Sequence, residues 1–459
     1  MLKGGLIEYL GSKLESGKFL LLSRLGILAA ITSASLAISM LTGWILSSYY
    51  KVDIAGSLMY KGNDGWCRPD IEGIGVHCFG DFNERLNPSK YDQWEVYPNN
   101  LELTPVGPFI TSLANIVTGV TSPKIVLVAF YIMAILILAY PIFNATKSMS
   151  FTIRIFVLST FCFSTYPVLV LLDRLNYLLF SVPILYFVYK KCIENSDKNL
   201  TFILVLLATI KPQFAILSLL YLIRGDIRKF VRVFFLQVFS VLSLIVLAGL
   251  GDFGRVKEYV RILGGYGAFI WDLNTQNPPN ASLSKGLYLI YQGIFKLVTG
   301  GTYRASDVDN LIFVIFAGCI VIFVMLLLYL NQSTLSNIEL MFALTILGIL
   351  GLGNYVATYY LIFILPFIAS HISKLRDFNS KKEKVDNFPP LLDRCFNEFT
   401  LAYTFTITTV IVPKFIFGIS LIPYSNTIEI ISPSLATLFW FWYIIRLATS
   451  KKLAGKYAL

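Results

Sequence analysis

The sequence predicts an all-α, polytopic membrane protein with about 12 transmembrane helices and a long first extracytoplasmic loop. Two observations predict this class. Apolar residues make up 56% of the 459 residues and charged residues only 14%, which is more apolar surface than a soluble core can bury. Apolar runs long enough to cross about 30 Å of hydrocarbon also recur along the chain. In lipid such runs must pair their own backbone polar groups, so they are expected to be helices.

The helix candidates follow the apolar runs in chain order. They cover approximately residues 22–47, 124–145, 154–172, 175–190, 200–210, 213–223, 230–250, 309–330, 337–351, 355–372, 399–421 and 432–448. The first run is too long for a signal-peptide core and is interpreted as a retained helix. The segment 106–120 is compatible with an interfacial helix or with half of a hairpin, so the number of crossings can change by a pair.

A proline interrupts the apolar stretch at residues 200–223 and predicts a broken hairpin there. Pro212 has no backbone N–H and disfavours helix at the preceding residue, Lys211. Irregular backbone at membrane depth survives only where it is buried in protein or lines a cavity. The break is therefore a candidate functional position.

The distribution of lysine and arginine predicts that both termini are cytoplasmic. Roughly 22 Lys or Arg residues then lie inside against about 15 outside, as the positive-inside rule requires. Segments 48–105 and 251–308 become the two long outer loops, and 373–398 a cytoplasmic loop. The net charge of +11 does not indicate nucleic-acid binding, because the cations lie in short clusters between apolar runs.

The first outer loop is unusually long and acidic. It holds nine of the 27 carboxylates of the chain, together with Tyr91, Trp94 and Tyr97. A connection of that length in a compact bundle is usually functional. Aromatic rings beside carboxylates are typical of sugar sites, although interfacial aromatic belts have a similar composition.

Two cysteines, Cys67 and Cys78, share this loop. We expect them to form a disulfide in an oxidising periplasm, the alternative being two unpaired thiols. His77 is the only other soft ligand nearby, so no metal site is expected.

Three polar features lie within or beside the apolar runs. Asp173 and Arg174 interrupt two runs at an expected outer boundary, Lys211 lies in the broken hairpin, and Asn354 with Tyr359 begins a late helix. Charged groups at such depth are costly and are functional candidates by default. The alternatives are a self-paired turn for Asp173 and Arg174, and a snorkelling helix end for Lys211.

Several short motifs occur in the order seen in one known family. They are His77-Cys-Phe-Gly-Asp81-Phe82, Tyr97-Pro98 with Pro105 to Pro108, Leu172-Asp173-Arg174-Leu-Asn176, Ile210-Lys211-Pro212-Gln213, Asn280-Ala-Ser-Leu283, and Leu365-Pro366 after Tyr359-Tyr360. In this order they resemble the polyprenol-phosphate-sugar-dependent, alpha-mannosyltransferase-like branch of the GT-C membrane glycosyltransferases. The resemblance spans roughly residues 20–372. It departs from the family at Leu175, where a Gly is common, and at Asn99, where a second Pro is common.

The resemblance implies a GT-C-like bundle and a sugar donor carried on a polyprenyl phosphate, with a glycan or lipid-linked acceptor. No cofactor is expected, because the sequence has no Gly-rich phosphate loop and no acidic pair for a catalytic metal. Asp81 is the candidate catalytic base, with Asp53 as its nearest rival. The alternative role for Asp81 is a loop hydrogen-bond acceptor.

The remaining roles follow from the same resemblance. Lys211 and Arg174 are candidates for binding the donor phosphate. Lys211 would supply a compact point charge, and Arg174 would bind through a bidentate guanidinium. Asp173 would orient Arg174, and Asn176 would bond a phosphate or sugar oxygen. The candidate acceptor or sugar contacts are His77, Trp94, Tyr97, Asn280, Asn354 and Tyr359.

These expectations define a catalytic module at residues 1–372, the cytoplasmic loop 373–398, and a helix pair with a tail at 399–459 that matches nothing in the family. The protein is expected in a bacterial inner membrane, in contact with membrane lipids, with its active site on the periplasmic side. Surface polysaccharide or O-antigen decoration is a plausible pathway. The sugar, the acceptor and the stereochemical outcome stay open.

Two other functions compete. A secondary transporter or lipid-linked-sugar flippase also uses broken helices and intramembrane charges, but predicts internal repeats, and none is apparent. A membrane glycan polymerase would favour an Arg-dominated outer loop, whereas the acids outnumber the bases in the first loop.

Overall fold

The protein is described here by a computed structural model. It describes residues 16–50, 123–162, 165, 167–168, 171–172, 177–248, 254, 257, 273, 281–352, 358–380, 395–407 and 424–450. Among these residues there is no strand, which confirms the predicted all-α class.

Thirteen α-helices are formed by the described residues. They are α1 (Ser16–Tyr50), α2 (Pro123–Ala145), α3 (Phe151–Cys162), α4 (Ser181–Ile193), α5 (Leu200–Ile210), α6 (Leu219–Ile223), α7 (Ile227–Ala248), α8 (Leu283–Thr299), α9 (Asp307–Leu330), α10 (Asn337–Ile346), α11 (Ile364–Ser380), α12 (Phe396–Ile407) and α13 (Tyr424–Thr449). Four 3-10 segments (Tyr177–Phe180, Pro212–Ser218, Gln332–Thr334 and Thr358–Phe363) and one π-helical turn (Leu347–Gly351) connect or extend them.

Within the described ranges, three helices are long and apolar enough to cross a membrane, at Val128–Ala145, Ile227–Leu247 and Asp307–Leu330. Their outward faces carry large apolar side chains, such as Phe239, which is 70% exposed. Continuous apolar faces of this kind indicate a membrane-facing surface. Six of the other expected crossings correspond, in the described part of the chain, to shorter apolar helices. Those at 175–190, 399–421 and 432–448 correspond to α4, α12 and α13, which are not among the helices apolar enough to count as spans.

Helix α10 lies at the centre of the bundle. All its residues from Ile338 to Ile346 are buried, and most of them are apolar, as expected for a helix surrounded by protein. Its Phe342 ring stacks on Phe367 with centroids 3.8 Å apart and meets Trp440 edge-on at 5.5 Å. This aromatic cluster joins α10 to α11 and α13.

The C-terminal helix pair packs into this same core. The Tyr403 hydroxyl on α12 hydrogen-bonds the Thr32 hydroxyl on α1 at 2.7 Å. The Trp440 indole donates to Thr406 Oγ1 at 3.0 Å, and the Thr437 hydroxyl donates to the Ala281 carbonyl at 2.5 Å. The pair is therefore bonded both to the first helix and to the segment before α8.

Helix α8 lies where the sequence predicts part of the second outer loop. The Ser282 side chain accepts from the Lys285 backbone N–H at its start, and Gly300 ends it in the left-handed region, with φ of 73°. Residues Ser284, Lys285 and Gln292 interrupt its apolar pattern. For that reason the hydropathy of the segment does not predict this helix.

At one end of the bundle, Arg224, the residue after α6, hydrogen-bonds to the start of α10 and to the connection before it. Its guanidinium donates to Asn337 Oδ1 at 2.9 Å and to the carbonyls of Gln332 and Leu335 at 2.8 and 2.7 Å. Asn337 in turn donates to Asn195 Oδ1 at 3.1 Å. We call this set the Arg224 clasp. It brings together three connections that the charge distribution assigns to the cytoplasm.

Candidate functional site

The expected break at Lys211 is present. Helix α5 ends at Ile210, Lys211 is extended with φ of −148° and ψ of 119°, and the 3-10 segment begins at Pro212. The Lys211 N–H donates to the Leu207 carbonyl and its own carbonyl accepts from the Phe214 N–H, both at 3.0 Å. Proline fits the first position of the new turn because its missing N–H is not needed there.

The two arms of the break return to the same end of the bundle. Lys229 pairs with Asp197 at 2.5 Å, and its amino group lies 4.4 Å from the Tyr221 ring centroid. Asp197 precedes α5 and Tyr221 lies on α6, so Lys211 lies at the far tip of a hairpin. The 11 residues of α5 rise about 16 Å, which is about half of the hydrocarbon thickness.

Lys211 is 9% exposed. Its neighbours in the chain, Ile210 and Phe214, are also buried. Burial of a lysine in such surroundings is costly and marks a functional candidate.

Gln213 is a candidate that the sequence reasoning did not select, although it lies in the Lys-Pro-Gln motif. Its Oε1 atom is enclosed and has no hydrogen-bond partner among the described residues. Buried polar atoms of this kind are rare in native proteins and call for an explanation. A hydroxyl group of a ligand would satisfy this atom.

The Lys211 break packs against the π-helical turn that follows α10. The Leu352 N–H donates to the Leu347 carbonyl at 3.2 Å, across five residues. Gly348 in this turn faces the 3-10 segment Pro212–Ser218. Both irregular segments are therefore in contact beside the buried lysine.

A small, mostly apolar cleft lies between α3, α11 and α12. Its lining residues are Phe161, Thr165, Pro167, Leu361, Ile362, Ile364, Leu365, Ile368, Tyr403, Thr406 and Ile407. Two of its three hydroxyl groups, those of Tyr403 and Thr406, are already hydrogen-bonded to the protein. The cleft is thus poorly suited to a sugar.

A second buried lysine, Lys285 on α8, was also missed by the sequence reasoning. It is 3% exposed, its amino group donates to the Leu273 carbonyl, and it lies 5.1 Å from the Tyr288 ring centroid. Asn310 Oδ1 accepts from the Leu273 N–H at 3.1 Å. Lys285 and Asn310 together hold one residue of the second outer segment, which is a structural role.

Of the predicted site residues, the structure describes Lys211 and the backbone of Tyr359, which lies in the 3-10 segment Thr358–Phe363. The others lie outside the described residues: Cys67, His77, Cys78, Asp81, Trp94, Tyr97, Asp173, Arg174, Asn176, Asn280 and Asn354, as does the rival base Asp53. The structure does describe the residues next to two of them. Leu172, which precedes Asp173, is buried, and the carbonyl of Ala281, which follows Asn280, accepts a hydrogen bond from the Thr437 hydroxyl.

Within the described ranges, no three His, Cys, Asp or Glu side chains are grouped to ligate a metal ion. No family model, curated protein or solved structure matches this chain. The family resemblance therefore depends on the sequence motifs alone.

Proposed function

We propose that this chain is a membrane glycosyltransferase that moves a sugar from a polyprenyl-phosphate donor to a glycan or lipid-linked acceptor. The proposal includes a GT-C-like bundle of about 12 crossings in a bacterial inner membrane, with the reaction on the periplasmic side. The single observation that supports it best is the buried Lys211 at the break between α5 and the 3-10 segment. A lysine there offers a cation to an anionic group at membrane depth.

The proposed reaction exchanges one bond for another. The acceptor hydroxyl oxygen bonds to the anomeric carbon, and the bond from that carbon to the phosphate oxygen breaks. The polyprenyl phosphate leaves with the electron pair. Asp81 takes the hydroxyl proton, and the developing charge on the phosphate is stabilised by cations.

Lys211 and Arg174 are the proposed phosphate ligands. The lysine supplies a compact charge and the arginine a planar fork. Asp173 orients the arginine, and Asn176 bonds a phosphate or sugar oxygen. His77, Trp94, Tyr97, Asn280, Asn354 and Tyr359 are the proposed contacts to sugar or acceptor.

One observation favours a second candidate, a lipid-linked-sugar flippase or transporter. The rise of α5 puts Lys211 about halfway across the hydrocarbon, and transporters bind their substrates near the midplane. A transferase breaks the donor, whereas a flippase leaves it intact.

The proposal is tested with the purified protein in nanodiscs, polyprenyl-phosphate hexose and a membrane glycolipid extract as acceptor. The wild type should release polyprenyl phosphate in an acceptor-dependent manner. Lys211→Met should reduce this release on the order of 100-fold, as expected when a charge that stabilises the leaving group is removed. The matched control is Lys229→Met at the Asp197 ion pair, which should react like the wild type. Equal rates for Lys211→Met and the wild type would refute the assigned role.

A further inference from the structure

Two uncommon backbone segments face each other beside Lys211. One is the seven-residue 3-10 helix Pro212–Ser218, and the other is the five-residue π turn Leu347–Gly351. A 3-10 run of this length is unusual, and π turns within helices occur frequently at functional sites. Their contact therefore calls for a specific reason.

The contact depends on Gly348. A Cβ atom at this position would lie 2.5 Å from Ile216 Cγ2 and 3.0 Å from the Gln213 carbonyl oxygen. Among the described glycines, Gly225 and Gly300 have positive φ, and Gly348 does not. Glycine is thus required at 348 for space, because it lets the two backbones approach closely.

The Gln213 carbonyl is coupled to Lys211 through the same short segment. It lies two residues after the lysine, and the Lys211 carbonyl is bonded to the Phe214 N–H. A group that pushed the Gln213 carbonyl away from the π turn would move the start of the 3-10 helix. The lysine would move with it, since Pro212 has a fixed φ.

We propose that Gly348 is a positioning residue for Lys211: the π turn is a template that fixes where the lysine meets the anionic phosphate of a polyprenyl lipid. This inference rests on the proposed function. It predicts that added volume at 348 weakens phosphate binding beyond any loss of stability. Displacements of about 1 Å in a site can cost 100-fold in rate.

The same turn supplies a matched control. A Cβ at Gly351 would lie 2.6 Å from Val321 Cγ2 and 3.1 Å from Phe441 Cζ. The two glycines therefore present similar steric conflicts, but only Gly348 is directed at the Lys211 segment. Gly348→Ala and Gly351→Ala should lower thermal stability to a similar extent.

The experiment measures the affinity of each purified variant in detergent for decaprenyl phosphate, far below its melting temperature. Gly348→Ala should weaken binding on the order of tenfold or more, while Gly351→Ala should stay within about twofold of the wild type. Ile216→Ala added to Gly348→Ala removes the 2.5 Å conflict and should restore part of the affinity. Equal affinity losses in the two glycine variants, or none in Gly348→Ala, would overturn the inference.

Two further variants complete the test. If Gly348→Ala does not fold, the double variant is compared with Ile216→Ala alone. It should still bind more weakly, because the 3.0 Å contact to the Gln213 carbonyl remains, and equal affinities would overturn the inference.

Lys211→Met separates the proposed phosphate site from the proposed role of Gly348. If the wild type does not bind the lipid, or Lys211→Met binds it normally, the phosphate site itself fails. If Lys211→Met alone loses binding, only the role of Gly348 fails.

Discussion

At the residue scale, the Lys-Pro-Gln sequence at 211–213 combines three properties. Lys211 is a buried lysine, Pro212 breaks the helix, and Gln213 has an enclosed acceptor atom without a partner among the described residues. Each of these is costly for folding alone. Their combination at one point is best explained by binding of a polar ligand.

Gln213→Met tests this explanation. The substitution keeps the length of the side chain and removes the enclosed acceptor, so stability should be unchanged or higher by about 1 kcal/mol. Sugar transfer should fall about tenfold, if the amide bonds a donor hydroxyl. Thermal unfolding and initial transfer rates measure the two effects.

Gln237 on α7 is the matched control. Its Oε1 is also enclosed without a partner in the described part of the chain, but its amide donates to the Leu204 carbonyl at 3.1 Å. Gln237→Met should therefore lower stability and leave transfer unchanged. If both methionine variants transfer sugar at the wild-type rate, Gln213 has no substrate role.

Asp81→Asn tests the proposed base. Asparagine has nearly the same volume but cannot accept a proton at neutral pH, so transfer should fall by a factor of about 100 to 10,000 while donor binding persists. Single-turnover transfer and donor binding are measured on the same preparation. Near-wild-type turnover would eliminate Asp81, and Asp53→Asn would then be tested as the rival.

At the element scale, the Arg224 clasp fixes the end of the bundle opposite Lys211. Arg224→Ala removes three hydrogen bonds that join the residue after α6 to the start of α10 and to the connection before it. We expect the free energy of unfolding to fall by about 1–3 kcal/mol, since the site is partly exposed. Arg224→Lys should recover only part of it, because lysine lacks the planar fork. Thermal unfolding in detergent measures this loss.

Arg228 provides the control, because it is exposed and one turn further along the same segment. Arg228→Ala should leave stability unchanged. Neither variant should change transfer at low temperature, since α5 separates the clasp from Lys211 by about 16 Å. A larger effect on transfer than on stability would contradict a purely structural clasp.

The elements differ in how far the sequence predicts them. The break at Lys211 is predicted because proline acts locally on the preceding residue. Helix α8 is missed, since its buried Ser284 and Lys285 interrupt the apolar period. Ser284 is bonded to the Ser282 hydroxyl, and Lys285 to the carbonyl of Leu273, twelve residues earlier. The sequence does not predict the π turn. Glycine is needed at 348 and 351 because of close contacts with Ile216 and Val321, which are far away in the chain.

At the scale of the whole molecule, composition predicts the all-α membrane class, and the described helices agree with it. Three of the described helices are both long and apolar enough for a full crossing, while the buried α10 is surrounded by protein. The convergence of Asp81, Arg174 and Lys211 remains a prediction, because the first two lie outside the described residues. It depends on contacts between segments far apart in sequence, which short motifs cannot specify.

The chemical fate of the donor tests the central claim most directly. Proteoliposomes are loaded with polyprenyl-phosphate hexose labelled in the sugar, supplied with a membrane glycolipid extract and analysed by mass spectrometry of all lipids. Sugar transfer predicts that free polyprenyl phosphate and labelled acceptor form in equal amounts with the wild type, and that Lys211→Met forms neither. Labelled donor that stays intact but becomes accessible on the opposite leaflet, with no labelled acceptor, would contradict a transferase and identify a flippase.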